Sequence, residues 1–335
     1  MALASGLGSQ FALAQETTYA TVVTPNRFYE FNSETFKREP TYLESVGLRA
    51  GRTFQPAGRV VQTTRQGSGA VAMDIPTRQF GSILNLMHQL TVTPVQQGVT
   101  TAYKQTHLVG TSQPNRSATL QFNKPDSGGV DHPYTYPGSV LTSTQFSCAV
   151  GGYLTSPALT FDAQDELTTI STPAGPTLAA ASYPAGIESW NQTQATVTMG
   201  GSSVGIAKSF DFTWSQPYKT DRWFLGSGGT KLKPIPNGFA AVTGTVVLEF
   251  ADLTHYTRFL NGTPVVVIFD FVGSTIASTY KNQITFTFDQ FQYRGDSPNV
   301  AGPDVLELSV PFSIFDGGTN PPLQIDYTSV EVTLP

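Results

Sequence analysis

Four histidines, one cysteine and a scatter of carboxylates are the only residues with which this chain could catalyse a reaction or hold a metal. His88, His107, His132 and His255 stand far apart, with no i, i+4 pair and no Cys or carboxylate partner at zinc-ligand spacing. His88 and His255 fall on helical segments, where ordinary polar-face positions are expected. No Gly-x-Ser-x-Gly elbow supplies a hydrolase nucleophile. The run from Gly226 to Lys231 sets a lysine after glycines but lacks the spacer and the following Ser/Thr of a phosphate loop, so it reads as a flexible loop apex. Asp165 and Glu166 read as solvated turn residues, and Asp126 with Asp131 is too sparse for a calcium loop. Arg294-Gly295-Asp296 reads as a chance tripeptide in a hairpin turn. Cys148 lies in a strand-like run and reads as a small buried hydrophobe; one cysteine excludes an intrachain disulfide and a Cys-based zinc site. The expectation is no enzyme, with no catalytic residue, no metal and no cofactor.

Composition points to assembly instead. Of 335 residues, 39% are apolar and only 13% charged, about half the usual share. A surface of Thr, Ser, Gln and Gly carries little repulsion and is buried against neighbours at modest desolvation cost. The net charge of −5 argues against a basic footprint for nucleic acid. No stretch approaches the ~18 apolar residues of a membrane-spanning helix. The start, MALASGLGSQFALAQ, lacks the basic region of a signal peptide and reads as mature sequence, which fits cytoplasmic synthesis.

Short β-branched and aromatic runs dominate the chain, and the expected class is all-β. Ile284, Phe286 and Phe288 alternate with Thr285 and Thr287, which puts the apolar side chains on one face. Two helices are expected. One carries Phe80, Ile83, Leu84 and Met87 at helical spacing. The other is capped by Asp252, presents Leu253, Tyr256, Phe259 and Leu260 on one face, and closes at Asn261-Gly262. Each follows a Gly-led strand, Gly69 to Ile75 and Gly244 to Phe250, and each set ends in Phe-Asp, at Phe161-Asp162 and Phe315-Asp316. An internal duplication is the economical explanation. It gives an N-terminal arm (1–24), a first β unit (25–170), a linker (171–187) and a second unit (188–335). No role is assigned to the segment after about residue 316.

Each unit holds one short helix and one long inter-strand loop, near 37–68 and 215–240. Loops of this length inside compact units are uncommon and usually functional. Both carry cationic and aromatic residues suited to docking on another subunit: Arg49, Arg52 and Phe54 in the first, Arg222 and Trp223 in the second. Two other readings stay open. One is a carbohydrate-binding tail-tip or adhesin β-sandwich using Trp190 and Trp223; the other is a secreted hydrolase with dispersed carboxylates.

Several segments together resemble siphophage major tail tube proteins: Gly8 to Phe11 with Glu16 to Thr21, Pro25 to Phe28, Glu44 to Arg52, Lys208 to Phe210 with Lys219 to Gly226, and Glu249 to Leu253 with Tyr256 and Phe259. The resemblance implies a non-enzymatic, tube-forming β fold whose domains give strands to a continuous barrel and send a loop to the adjoining ring. It implies self-association into stacked rings, with trimers of pseudo-sixfold symmetry if the chain holds two tube domains. Other implied partners are a ruler protein, a tail terminator and a tail tip, in a virion assembled in the host cytoplasm. About two dozen strands at ~4.8 Å spacing make a barrel about 40–45 Å across, wide enough for DNA to pass without specific binding during genome ejection. Arg49, Arg52, Phe54, Arg222 and Trp223 become the inter-ring contact candidates.

Overall fold

A computed structural model describes residues 5–88, 92–108, 116–295, 297, 298, 300 and 302–334. The fold is all-β with two helices, as the alternation predicts. Asp296, and with it the complete Arg-Gly-Asp tripeptide, lies outside the described residues.

In the first half, β1 (Gln10–Gln15), β2 (Arg27–Tyr29), β3 (Ser33–Glu34), β4 (Lys37–Glu44) and β5 (Val60–Asp74) lead to α1 (Phe80–His88). A small hairpin of β6 (Val95–Gln96) and β7 (Tyr103–Leu108) comes next. Then follow β8 (Ala118–Asn123), β9 (Pro133–Ala149) and β10 (Thr155–Ala163). The second half holds β11 (Ala195–Met199), β12 (Ser202–Ser203), β13 (Ala207–Ser215), β14 (Tyr218–Lys219), β15 (Ile235–Pro236) and β16 (Ala241–Glu249). After α2 (Thr254–Asn261) come β17 (Val265–Ala277), β18 (Tyr280–Tyr293), β19 (Glu307–Phe315) and β20 (Leu323–Ser329).

The same pairings occur twice. One layer runs β1–β8–β9 in the first half and β11–β17–β18 in the second. The facing layer runs β3/β4–β5–β10–β9 and then β13–β16–β19–β18. Long strands β9 and β18 serve both layers, and β9 turns between them at Gly138, where φ is +66°. A glycine fixes each register. A Cβ on Gly69 would lie 2.5 Å from the Phe36 Cα, and one on Gly244 would lie 2.1 Å from the Asp211 oxygen. No side chain fits at either crossing.

The register corrects one detail of the sequence reading. Gly69 pairs with Phe161, whereas Gly244 pairs with Phe312, so Phe312 and not Phe315 is the counterpart of Phe161. The drift in spacing between the halves also has a source. The β6–β7 hairpin follows α1, while only residues 262–264 separate α2 from β17. That hairpin crosses to the other half, where β7 pairs with β20 and β20 pairs with β18.

This crossing explains why the two helices differ. Every residue of α1 is buried, beneath β7 and against β9, with Tyr327 of β20 donating to the Pro76 carbonyl. Helix α2 starts later than expected, with Leu253 rather than Asp252 as its N-cap residue. The Asp252 Oδ1 accepts from the Thr254 N–H at 2.7 Å from one position outside, and the helix ends as expected at Gly262 in the left-handed region. It buries none of its residues, and Leu253 and Leu260 are 62% and 63% exposed.

The halves are joined by more than contact. Residues Ser143–Ala149 of β9 pair with Ser209–Ser215 of β13, so one layer continues through both. Under this seam Phe146 stacks on Phe212 at 4.8 Å, and Phe286 meets both edge-on at 5.0 and 5.2 Å. Aromatic pairs of this kind contribute roughly 0.5–1.5 kcal/mol each beyond their buried area. Near the N-terminus, Glu16 is buried and accepts from the Ser117 and Thr119 hydroxyls and the Gly138 and Ala20 amides.

Gly244→Val should destabilise the fold by about 1–3 kcal/mol or more, the usual effect of forcing a larger side chain into a filled site. Urea denaturation followed by tryptophan fluorescence measures it; a wild-type midpoint would mean the crossing is not as tight as described.

Candidate assembly surfaces

The shared layer has one face on the core and one turned away from it. On β13, Phe210, Phe212 and Trp214 point inward, so Asp211, Thr213 and Ser215 take the other face. Cross-strand registers extend that face into rows. Ser147, Asp211 and Thr245 form one row, and Gln145, Thr213, Thr243 and Ser313 form the next. Neither row contains Lys or Arg. Burial raises the Asp211 carboxyl above its ordinary value.

Both ends of this layer are open. Strands β3 and β4 pair only with β5 among the described pairings, and β18 beyond Phe291 pairs only with β19. Unpaired edges are templates for another strand.

The two long loops behave differently. The first is an arm in which β4 pairs with the start of β5 and residues 45–59 form the tip. Leu48 and Phe54 are 101% and 87% exposed, and Arg49 and Arg52 are exposed beside them. The arm's root is anchored by Asp165, which holds Arg38 at 3.3 Å and Arg65 at 2.5 Å. Asp165 is therefore a buried ionic anchor, not the solvated turn residue expected from its position at a strand exit.

The second loop lies back on the first half. Lys231 is fully buried; its ammonium donates to the Asp162 carboxylate and to the Gln66 Oε1 at 3.1 Å. The Lys231 carbonyl accepts from the Gln164 amide at 2.9 Å, and the Arg65 N–H donates to the Gly229 carbonyl at 3.0 Å. The glycine-lysine run is thus an anchored inter-half contact, not a flexible apex. Arg222 donates to the Lys233 carbonyl, and the Trp223 ring lies 5.9 Å from the Lys231 ammonium. The five candidates fall into two groups: Arg49, Arg52 and Phe54 on the free tip, Arg222 and Trp223 inside the anchored loop. Nothing in the sequence distinguished Lys231 from its neighbours, because its carboxylate partner is 69 residues away.

Burial pushes the Lys231 ammonium below its ordinary value and the Asp162 carboxyl above its own, while each charge favours the other. Removing one partner strands the second charge. Lys231→Ala should therefore cost about 3–5 kcal/mol in denaturant unfolding, and the paired change Lys231→Met with Asp162→Leu much less.

The residues first considered for chemistry do not converge. Among the described residues no group of three or more His, Cys, Asp or Glu could hold a metal. Cys148 is buried in β9, as expected. Trp190 is fully buried against Tyr327 and offers no face to a sugar. His132 meets Asp126 at the surface at 2.9 Å, and the His255 Nδ1 lies 3.1 Å from the Tyr293 hydroxyl. His88 departs from expectation: it is buried, its ring 5.9 Å from that of buried His107.

Burial lowers the His88 pKa to about 3, and burial with the neighbouring ring holds His107 well below its ordinary value. The unfolded chain takes up these protons near pH 6.5 and the folded chain only at much lower pH. The stability tied to the neutral pair is present above pH 6.5 and is lost as pH falls below it toward 3. Melting temperature should drop between pH 7 and pH 4.5, and the drop should shrink in His88→Leu.

Among the described residues no helix is long and apolar enough to cross a membrane. No curated protein matches the chain. A family model described as phage tail tube protein matches residues 6–314, nearly the whole length, and the chain belongs to that family of structural tail components of the virion.

Proposed function

We propose that this protein closes into rings around a channel for DNA and that the rings stack into the tail tube of a siphophage. The observation that carries the reading is the Ser143–Ala149 pairing with Ser209–Ser215, by which one half already adds its edge strand to the other. Residues 25–170 and 188–335 act as tandem tube domains joined by 171–187, and β1, from the segment 1–24, completes the first. Repeating the same head-to-tail pairing between copies joins β18 of one to β3–β4 of the next, and a heterologous contact that closes gives a ring. Three copies make the ring pseudo-sixfold and leave neither end of this layer exposed.

The face bearing Gln145, Ser147, Asp211, Thr213 and Thr245 lines the channel. The two rows hold no Lys or Arg to pair with phosphates, so DNA slides past them without being held. The tip carrying Arg49, Arg52 and Phe54 reaches the adjoining ring, and the anchored loop with Arg222 and Trp223 takes part in the same stacking. Catalysis plays no role. A ruler protein, a terminator and a tail tip set the ends of the tube, and assembly takes place in the host cytoplasm.

Electron microscopy of the purified chain should reveal stacked rings or hollow tubes; permanent monomers would overturn the proposal. Replacing residues 46–57 by a short turn should leave rings that no longer stack, and tubes of normal length would remove the tip from the mechanism. Thr213→Lys with Thr245→Lys should slow genome ejection in reconstituted particles, whereas unchanged kinetics would place the channel elsewhere.

A further inference from the structure

The anchored loop of the second half has a seat in the first half, and the repeat supplies a matching seat that its own chain leaves open. With Gly69 and Gly244 aligned, the positions of Gln66, Asp162, Gln164 and Asp165 correspond to Ala241, Ser313, Phe315 and Asp316. The first four hold Lys231 and the arm's root. The second four line an open groove of about 760 Å³, together with Trp214 and Phe239. Phe239 is 98% exposed and Phe315 46%. Asp165 holds two arginines, but no described basic residue pairs with Asp316, which accepts only the Gly318 N–H among the described hydrogen bonds.

We propose that this groove receives the stem of the β4–β5 arm from a second copy, as the seat in the first half receives Lys231 from its own chain. The chemistry of the two seats fits their occupants. Gln66 and Asp162 take an ammonium, with Gln164 on the carbonyl of the same lysine; Ala241, Phe315 and Phe239 take apolar side chains. Leu43 and Val61 lie opposite each other on one face of the stem, 64% and 56% exposed, an apolar pair over which no described residue of its own chain is packed, while Tyr42 and Val60 (58% and 44%) take the other face. Arg59, next to Val60 at the end of the stem, brings a cation that complements Asp316. The tip beyond stays available to the adjoining ring. This inference rests on the tube reading only in requiring that copies meet.

The test uses the full chain in two forms. Leu43→Cys with Phe315→Cys, and Arg59→Cys with Asp316→Cys, should each give a ladder of covalent multimers on non-reducing gels after oxidation of assembled protein. Each single cysteine alone should give none. Phe239→Asp, at a side chain that supports nothing in the monomer, should raise the protein concentration needed for assembly at least tenfold. Tubes that form normally from Phe239→Asp, with neither cysteine pair producing a ladder, would overturn the groove while leaving the tube intact. A wild-type chain that never assembles would instead overturn the tube itself.

Discussion

The strand pairing between β9 and β13 is the constraint on which the molecule depends. It makes one layer out of two repeated units and sets the stack of Phe146 on Phe212 beneath the seam. It also fixes where the second loop must go. That loop leaves β13 directly over β9 and β10, which brings Lys231 to Asp162 and closes the junction with a buried charge pair. A hydrogen-bonded seam, an aromatic core and an ionic clasp hold the halves in one geometry. The same three elements, offered by the open edges and the empty groove, define how a further copy would be received.

The two halves share a plan but not a surface. The β7–β20 pairing shelters α1, and among the described residues no equivalent strand pair shelters α2. Their seats diverged in polarity as well, with Gln66 and Gln164 on one side and Ala241 and Phe315 on the other. In the proposed tube the two seats meet different neighbours, because one junction lies within the chain and the other between copies. Polar specificity suits the first, where the partner is guaranteed. Apolar burial suits the second, where association must overcome lost translational freedom.

Much of the fold was legible in the sequence because its signals are local. Alternation at Ile284–Phe288 and at Phe210–Trp214 gave strands with the correct buried face, and Asp252 with Gly262 bracketed α2. The Gly-led strands identified the repeat because a crossing that tolerates no Cβ leaves a visible mark. The failures share one cause. Strand β1, whose residues Phe11 to Ala14 are all buried, shows no alternation and read as part of an arm. His88 read as polar surface because its cover comes from β7, itself held by the far end of the chain. Lys231 and Asp165 read as loop residues because their partners are 69 and 100 residues distant. Local chemistry writes the elements; the charges that clasp them belong to contacts no window can span.

The sheltering of α1 also imposes a timetable. Tyr327 reaches Pro76 across 251 residues, and β20 is translated long after α1. At ribosomal rates of 5–20 residues per second, that gap lasts roughly 10–50 s. During it the helix carrying Phe80, Ile83, Leu84 and Met87 has no cover from β20, and β7 has no strand to pair with. A nascent chain thus exposes apolar surface where the finished fold is sealed. Sealing of α1 therefore comes last, in the order in which the strands leave the ribosome.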